Sequence, residues 1–272
     1  MTLPVTYLFV PGNRPDRFDK AFNAGADTTI LDLEDAVSAS DKESARESVR
    51  AWIESRSGAK ERERIAVRMN DAASASFADD LRMLASANVR YVMLPKVERS
   101  EHVAAACAAL SPGSQILPMI ETALGVANVE AIAAARGVQR LAFGTLDYGV
   151  DLDLSGDERG FIYPSARIAS ASRLAGLASP VAGVTPAIDD ELRLLADLAF
   201  ARAFGFGAKL CIHPRQVAIV AQAMLPSSAE IDWARRVLAA AESTQGAVQV
   251  DGRMVDRPVI VKAQAILDRA GS

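Results

Sequence analysis

Along the first 225 or so residues, short β-rich runs alternate with longer stretches whose apolar positions recur at helical spacing. The runs are TYLFV (6–10), TTILDL (28–33), IAVRM (65–69), YVMLP (91–95), QILPMI (115–120), RLAFG (140–144), VAGVT (181–185) and AKLCI (208–212). Helical patterns follow them near 13–24, 41–56, 76–87, 100–110, 125–136, 161–177, 189–204 and 214–224. Such alternation argues for βα units and a parallel sheet with helices outside it. Eight units in succession, without an obvious repeat or a linker rich in Pro, Gly or Ser, predict an α/β fold: a closed (β/α)8 TIM barrel over residues 1–225. An open doubly wound sheet fits less well, because no G-x-G-x-x-G fingerprint follows the first strand.

Beyond the eighth unit the pattern changes. Ser227 or Ser228 can cap a helix with Ile231, Ala234 and Val237 on one face, and AVQVDGRMV carries a hairpin signal at Asp251-Gly252. A last helix opens at Pro258. Residues 226–272 therefore read as a helix–hairpin–helix extension, too short for a core of its own, that packs on the barrel or on a neighbouring subunit.

Composition narrows the function classes. The 272 residues are 50% hydrophobic and 24% charged, with a net charge of −4 and no basic block, so a nucleic-acid partner is not expected. Cys107 and Cys211 lack metal-ligand spacing and read as small core residues. The segment MTLPVTYLFVPGN has no positive leader region, and no apolar run is long enough to span a bilayer. The expectation is a soluble, cytoplasmic protein without a membrane partner.

In a barrel the chemistry belongs at the C-terminal ends of the strands, and here those ends are unusually polar. The second run ends in DLEDAV with Asp32, Glu34 and Asp35; the third carries Arg68; the fourth ends at Lys96; the eighth ends at His213. LPMIETALGV (117–126) brings Glu121 to the point where a buried run surfaces, and GTLDYGVDLD brings Asp147 to the next strand. Two carboxylates on adjacent strands can face one point and suit Mg2+, with water and substrate filling the octahedron. Alternatively, Glu121 lies in a first helical turn and Asp147 caps a short turn. Arg68 either holds a substrate carboxylate with its planar fork or neutralises Asp32 or Asp35. His213 either orients a loop or touches ligand, and His102 reads as a surface residue. No nucleophile elbow, H-E-x-x-H or Walker loop is present, so serine hydrolase, zinc protease and P-loop readings have no support.

The stretches LFVPGNRPDRFDKA, ILDLEDAV followed by KESAR, VRMN, MLPKVE, LPMIETALGV, LAFGTLDYGVDL, GFGAKLCIHPRQV and VDGRMVDRPV run through most of the chain. Together, in this order and spacing, they resemble the citrate lyase β-subunit-like family of Mg2+-dependent CoA-ester lyases, related to malyl-CoA lyase and the metal-dependent pyruvate aldolases. VAGVTPAIDD, at the seventh strand, has no distinctive match. The resemblance implies Glu121 and Asp147 as Mg2+ ligands and Arg68 as the grip on the α-keto acid. Asp32, Glu34 and Asp35 support the metal's water shell and Arg68, with Lys96 and His213 also in supporting positions. Arg14, Arg17 and Lys20 are implied to meet the CoA phosphates. Asp256 matches an acid delivered from a neighbouring subunit's C-terminal segment, although it also stands where it can cap the last helix.

The implied reaction is reversible retro-Claisen cleavage of a 3-hydroxyacyl thioester such as citryl-CoA, malyl-CoA or citramalyl-CoA. Mg2+ polarises oxygen, Arg68 fixes the carboxylate, and Asp256 trades a proton with the acyl methyl. Rival readings are a CoA-independent pyruvate or oxaloacetate aldolase, a carrier-dependent subunit of a citrate lyase complex, and a catalytically silent binding protein. By resemblance the chain is a homotrimer or hexamer.

Overall fold

Eight short parallel strands carry the architecture: β1 (Thr6–Pro11), β2 (Thr28–Asp32), β3 (Ile65–Arg68), β4 (Tyr91–Leu94), β5 (Gln115–Ile120), β6 (Ala142–Phe143), β7 (Val181–Ala182) and β8 (Ala208–Cys211). In this computed structural model, which describes residues 3–243 and 248–271, they are hydrogen-bonded in chain order. β8 pairs back onto β1, so the sheet closes into the expected barrel. Every residue of β2 is buried, as a strand between a filled interior and an outer helix must be. Alternate residues, among them Tyr7, Ile30, Ala66, Met93, Leu117 and Leu210, fill the barrel interior. Helix Lys42–Glu54 shows why the outer layer forms: Ala45, Val49 and Ile53 recur every fourth residue and are buried, while most of the other positions are charged or serine.

Several boundaries differ from the sequence pattern, each for a local reason. β6 and β7 contribute only two residues each to the ladder. The helix expected at 125–136 is divided into Ala123–Ala127 and Val129–Ala133, because the Asn128 side chain turns to donate to the Glu98 carbonyl and its backbone leaves helical geometry. The helix expected at 13–24 is a 3-10 turn, Pro15–Arg17, followed by Phe18–Phe22. Two short helices, Ala59–Arg62 and Thr145–Asp151, were not anticipated.

The described residues divide into two compact units, Leu3–Val220 and the segment from Ala221 onward. The second holds helix Ser228–Ser243, an antiparallel hairpin of Val248–Val250 and Arg253–Val255, and helix Arg257–Ala270. Asp251 and Gly252 both have positive φ (52° and 73°), as a two-residue hairpin turn requires. This segment, which on length alone should lack a core, gathers Ala234, Val237, Ala263 and Ile266 into a buried cluster of its own. Among the described residues no helix is long and apolar enough to cross a membrane.

At the N-terminal end of the barrel lies a cation that the sequence pattern did not flag. Arg140 is 2% exposed and donates to the carbonyls of Ser179 and Pro4 and to the Tyr7 hydroxyl. It ties together the chain segments entering β1, β6 and β7. Arg140→Ala strands those acceptors and leaves a void, so it should cost about 2–4 kcal/mol of unfolding free energy. Urea denaturation measures that loss, and Mg2+ affinity should stay unchanged.

Candidate active site

Seven of the sequence-predicted residues converge at the C-terminal mouth of the barrel. β2 ends in Asp32, and Glu34 follows in the next turn; both are buried. Arg68, the last residue of β3, donates from Nε to Asp32 Oδ1 (2.8 Å) and from a terminal nitrogen to Asp32 Oδ2 (2.7 Å). Its other terminal nitrogen lies 2.8 Å from Glu34 Oε2. Two of the five guanidinium N–H donors are thus bonded to Asp32, while the contact with Glu34 is an ion pair. The Phe9 ring lies beneath the guanidinium, 4.9 Å from its carbon. The partner foreseen for Arg68 as Asp32 or Asp35 is Asp32, joined by Glu34. Burial alone would lower the Arg68 pKa; the bidentate bond to Asp32 and the charge of Glu34 reverse this and hold it above the ordinary arginine range.

Lys96 links two parts of the site. Its Nζ donates to Glu34 Oε1 (2.6 Å) and lies 3.6 Å from the exposed Asp35, while its backbone N–H donates to Glu121 Oε1 (2.6 Å). To present both groups, Lys96 adopts a positive φ of 49°, a conformation that non-glycine residues seldom take. Burial would lower its amine, but the Glu34 bond outweighs that and raises it.

Glu121 is 1% exposed and stands just before the helix Ala123–Ala127, whose cap is Thr122, accepting from Gly125 N–H. The first-turn reading is therefore not the one the backbone adopts. Its Oε2 is buried without a hydrogen-bond partner. Space for it exists because residue 144 is glycine: a Cβ there would fall 2.6 Å from the Glu121 Cβ and nearer still to Oε2. Burial pushes the Glu121 carboxyl up to about 8, the charges of Glu34 and Asp147 add to this, and the Lys96 amide and Arg68 oppose it. The Glu34 carboxyl is also raised by burial, against Arg68 and Lys96.

Asp147 sits in the first turn of helix Thr145–Asp151 and, with Asp32, Asp35 and Arg68, lines a cavity of about 390 Å3. The residues fit a hard divalent cation. An enclosed carboxylate oxygen lacks a partner, a second carboxylate is close enough to disturb its titration, and Mg2+ needs only one or two protein carboxylates when water and substrate complete its shell. Among the described residues no cluster of three or more His, Cys, Asp or Glu has ligating geometry.

Other expectations place differently. His213 Nδ1 accepts from Arg215 N–H at the start of helix Pro214–Met224, a bond that fits the loop-orienting reading. Arg14 is engaged by both oxygens of Asp16 (2.9 and 2.7 Å), and Lys20 is exposed on helix Phe18–Phe22; neither lines the cavity. Asp256 belongs to the second unit, where its side chain caps helix Arg257–Ala270 by accepting from Val259 N–H (3.2 Å). His102 is partly exposed on helix Ser100–Ala109, although its Nδ1 is enclosed without a partner. Cys107 is only half-buried and donates to the Arg136 carbonyl, whereas Cys211 is a core residue as expected.

Two supporting residues escaped the sequence reading. Lys42, the lysine of KESAR, donates to the carbonyls of Leu33 and Glu34 (2.7 Å each) and so fixes the acidic turn after β2. Asp151 accepts from Ala123 N–H (2.7 Å), joining the helix that bears Asp147 to the segment after Glu121. The signal for Asp151 was its place four residues beyond Asp147, one helical turn along the same face.

Residues 6–214 match the family model described as HpcH/HpaI aldolase/citrate lyase. A citrate lyase subunit beta-like protein of Mycobacterium tuberculosis (strain H37Rv) is 38% identical, over 97% of this chain and 95% of that protein. A (3S)-malyl-CoA thioesterase of Cereibacter sphaeroides (strain ATCC 17025) is 35% identical, over 97% of this chain and 93% of that protein. The solved structure of CitE from Mycobacterium tuberculosis in complex with magnesium, acetoacetate and coenzyme A superposes with a TM-score of 0.88 at 35% identity, covering 99% of this chain and 98% of that one.

The Glu121 carboxyl makes a prediction for the metal-free protein. Its folded pKa, about 8, lies above the ordinary 4.5, so the folded state binds the proton more tightly than the unfolded chain. Its contribution to stability is present in full below pH 4.5 and is lost as the pH rises to about 8. Urea denaturation in EDTA across that window should show stability falling with pH. Glu121→Gln should flatten the slope, and saturating Mg2+ should oppose the loss at its upper end.

Proposed function

The chain belongs to the HpcH/HpaI aldolase/citrate lyase family, and on that premise we propose that it is a Mg2+-dependent carbon–carbon lyase acting on a 3-hydroxyacyl-CoA thioester. Cleavage yields an acyl-CoA and an α-keto acid, and the reverse reaction condenses them. One observation carries the reading: the buried, half-satisfied Glu121 carboxylate, whose titration the charge of Asp147 disturbs, packed behind Gly144 on the wall of a cavity that Asp147 and Arg68 line. The CitE relative complexed with magnesium, acetoacetate and coenzyme A supports the same ligand classes here.

Glu121 and Asp147 hold the cation, which when bound supplies Lewis-acid polarisation of the substrate's hydroxyl or keto oxygen. Arg68 directs its remaining donors at the neighbouring carboxylate, and its bonds to Asp32 and Glu34 fix the plane of the fork. Asp256 exchanges a proton with the acyl carbon, brought by the C-terminal segment of a neighbouring copy; this role gives a purpose to the match of GRMVDRP with the family pattern. Arg17 and Lys20, exposed and close in sequence, meet the CoA phosphates, and Arg14 joins them by exchanging Asp16 for phosphate. We place the protein in the cytoplasm, where CoA thioesters are at hand, as a homotrimer or hexamer.

The thioesterase name of one relative introduces a second outcome at the same site, hydrolysis with release of free CoA. The deciding assay offers citryl-CoA, malyl-CoA and citramalyl-CoA to the purified chain with Mg2+ and identifies the products. Acyl-CoA plus an α-keto acid supports the lyase, whereas free CoA plus the intact hydroxy acid supports hydrolysis. Turnover of a CoA-free keto-acid aldol instead supports the aldolase, and turnover only with an added carrier protein supports a subunit role. Asp147→Ala should reduce the lyase rate by about a thousand-fold or more with the fold retained, since the metal's contribution to the transition state amounts to several kcal/mol. Arg68→Lys should raise the KM for the α-keto acid in the condensation direction by about ten-fold, because a point charge cannot reproduce the fork; an unchanged KM removes Arg68 from that role.

A further inference from the structure

We propose that Asp151 is a positioning residue, which sets the separation of Glu121 and Asp147 and so prepares the cation site. The inference rests on the lyase reading above and deepens it, by naming a side chain that acts on the two carboxylates without reaching the ligand.

Glu121 and Asp147 lie on segments of different kinds, and neither segment is long enough to hold its place alone. Asp147 rides on the seven-residue helix Thr145–Asp151, which follows the two-residue strand β6. Glu121 stands between the end of β5 and the five-residue helix Ala123–Ala127. Hydrogen bonds tie these segments together at both ends. At the near end the Gly144 N–H donates to the Ile120 carbonyl (3.0 Å), extending the β5–β6 ladder. At the far end Asp151 Oδ2 accepts from the Ala123 N–H (2.7 Å). In sequence, Glu121 falls between Ile120 and Ala123 and Asp147 between Gly144 and Asp151, so the two bonds bracket both carboxylates.

The spacing of the far bond suits that task. One helical turn separates Asp147 from Asp151 and puts them on one face, about 6 Å apart along the axis. On the facing segment Thr122 is extended (φ −134°, ψ 158°). Two residues of extended chain, Glu121 to Ala123, cover about 7 Å, so the segments can run side by side with neither stretched. The Ala123 N–H is one of the donors that a helix start leaves unsatisfied, and the Thr122 hydroxyl is already occupied by the Gly125 N–H. A carboxylate is a strong acceptor for such a donor. Asp151 does not itself line the cavity, so it acts through this bond. Mg2+ demands near-ideal octahedral geometry, and a small drift of Asp147 away from Glu121 is therefore read as lost affinity.

The test measures Mg2+ affinity of the full-length chain by isothermal titration calorimetry, apart from turnover, with urea denaturation as the check on folding. Asp151→Ala should weaken Mg2+ binding about ten-fold or more, the loss expected when a group supporting a metal ligand is removed. Asp151→Asn should stay within about three-fold of the wild type, because the amide oxygen still accepts from Ala123 and an exposed charge contributes little. Ala123→Pro removes the donor at the first helical position, where proline is tolerated, and should weaken Mg2+ binding as Asp151→Ala does. The double variant should be no weaker than either single one, since both remove the same bond. Unchanged affinity in either single variant, equal losses in the Asn and Ala variants, or additive losses in the double variant overturns the proposal and leaves the lyase reading standing. If Asp151→Ala fails to fold, Ala123→Pro against the wild type decides. Failure of the wild-type chain to bind Mg2+ removes the lyase reading and the proposal with it.

Discussion

The mouth of the barrel depends on one carboxylate that water cannot reach. Glu121 has a single hydrogen bond, from the backbone N–H of Lys96, and its other oxygen waits without a partner. Holding it there requires Lys96 to take a left-handed backbone, and requires residue 144 to have no side chain. The same lysine reaches through its amine to Glu34, Glu34 reaches Arg68, and Arg68 grips Asp32. One chain of contacts thereby joins the ends of β2, β3, β4 and β5.

Charge explains why such an arrangement is poised and not merely costly. Five carboxylates, Asp32, Glu34, Asp35, Glu121 and Asp147, share this region with two cations, Arg68 and Lys96, both of which pair with the β2 acids. The unbalanced charge falls on Glu121 and Asp147. Burial pushes the Glu121 carboxyl up to about 8, so in the proposed metal-binding role a divalent ion would displace a proton as it binds. A buried carboxylate that is expensive alone is inexpensive as a ligand. The place of Glu121 directly after β5, at the rim of a rigid sheet, fixes the carboxylate in advance of any ligand.

Where the chemistry is carried on strands, it was legible in the sequence. The period of apolar runs gave eight strands, and reading their C-terminal ends collected Asp32, Arg68, Lys96 and Glu121 at one rim, where the structure also brings them together. What failed to read is local or long-range. Helix Thr145–Asp151 escaped because Gly149 and Val150 are poor helix formers, so Asp147 was expected on a strand end. The bonds of Arg140 to Pro4, Tyr7 and Ser179 span up to 136 positions, and no short window contains both partners. The small core of the C-terminal unit exceeds what its length suggested, because two amphipathic helices, Ser228–Ser243 and Arg257–Ala270, supply apolar faces to each other.

Asp147 poses the opposite problem from Glu121: it stands on a seven-residue helix after a two-residue strand, with little regular structure to hold it. Its position is secured from β7. Thr145, which opens the helix, occupies the space left by the absent side chain of Gly183; a Cβ on that glycine would come within 2.8 Å of the Phe143 carbonyl and nearer still to Thr145 Oγ1. The Gly183 carbonyl is in turn held by Lys209, a lysine 1% exposed whose amine burial pulls down to about 8, against the charge of Asp197. Lys209 thus braces from outside the barrel the segment on which the helix bearing Asp147 packs. A long, buried amine reaches a carbonyl across the β7–β8 gap where the two short strands share a ladder of only two residue pairs, and it does so without adding a cation to the cavity. Arg68 is left as the cation that faces the cavity among the described lining residues, because Lys96 is paired with Glu34 and Lys209 is turned outward.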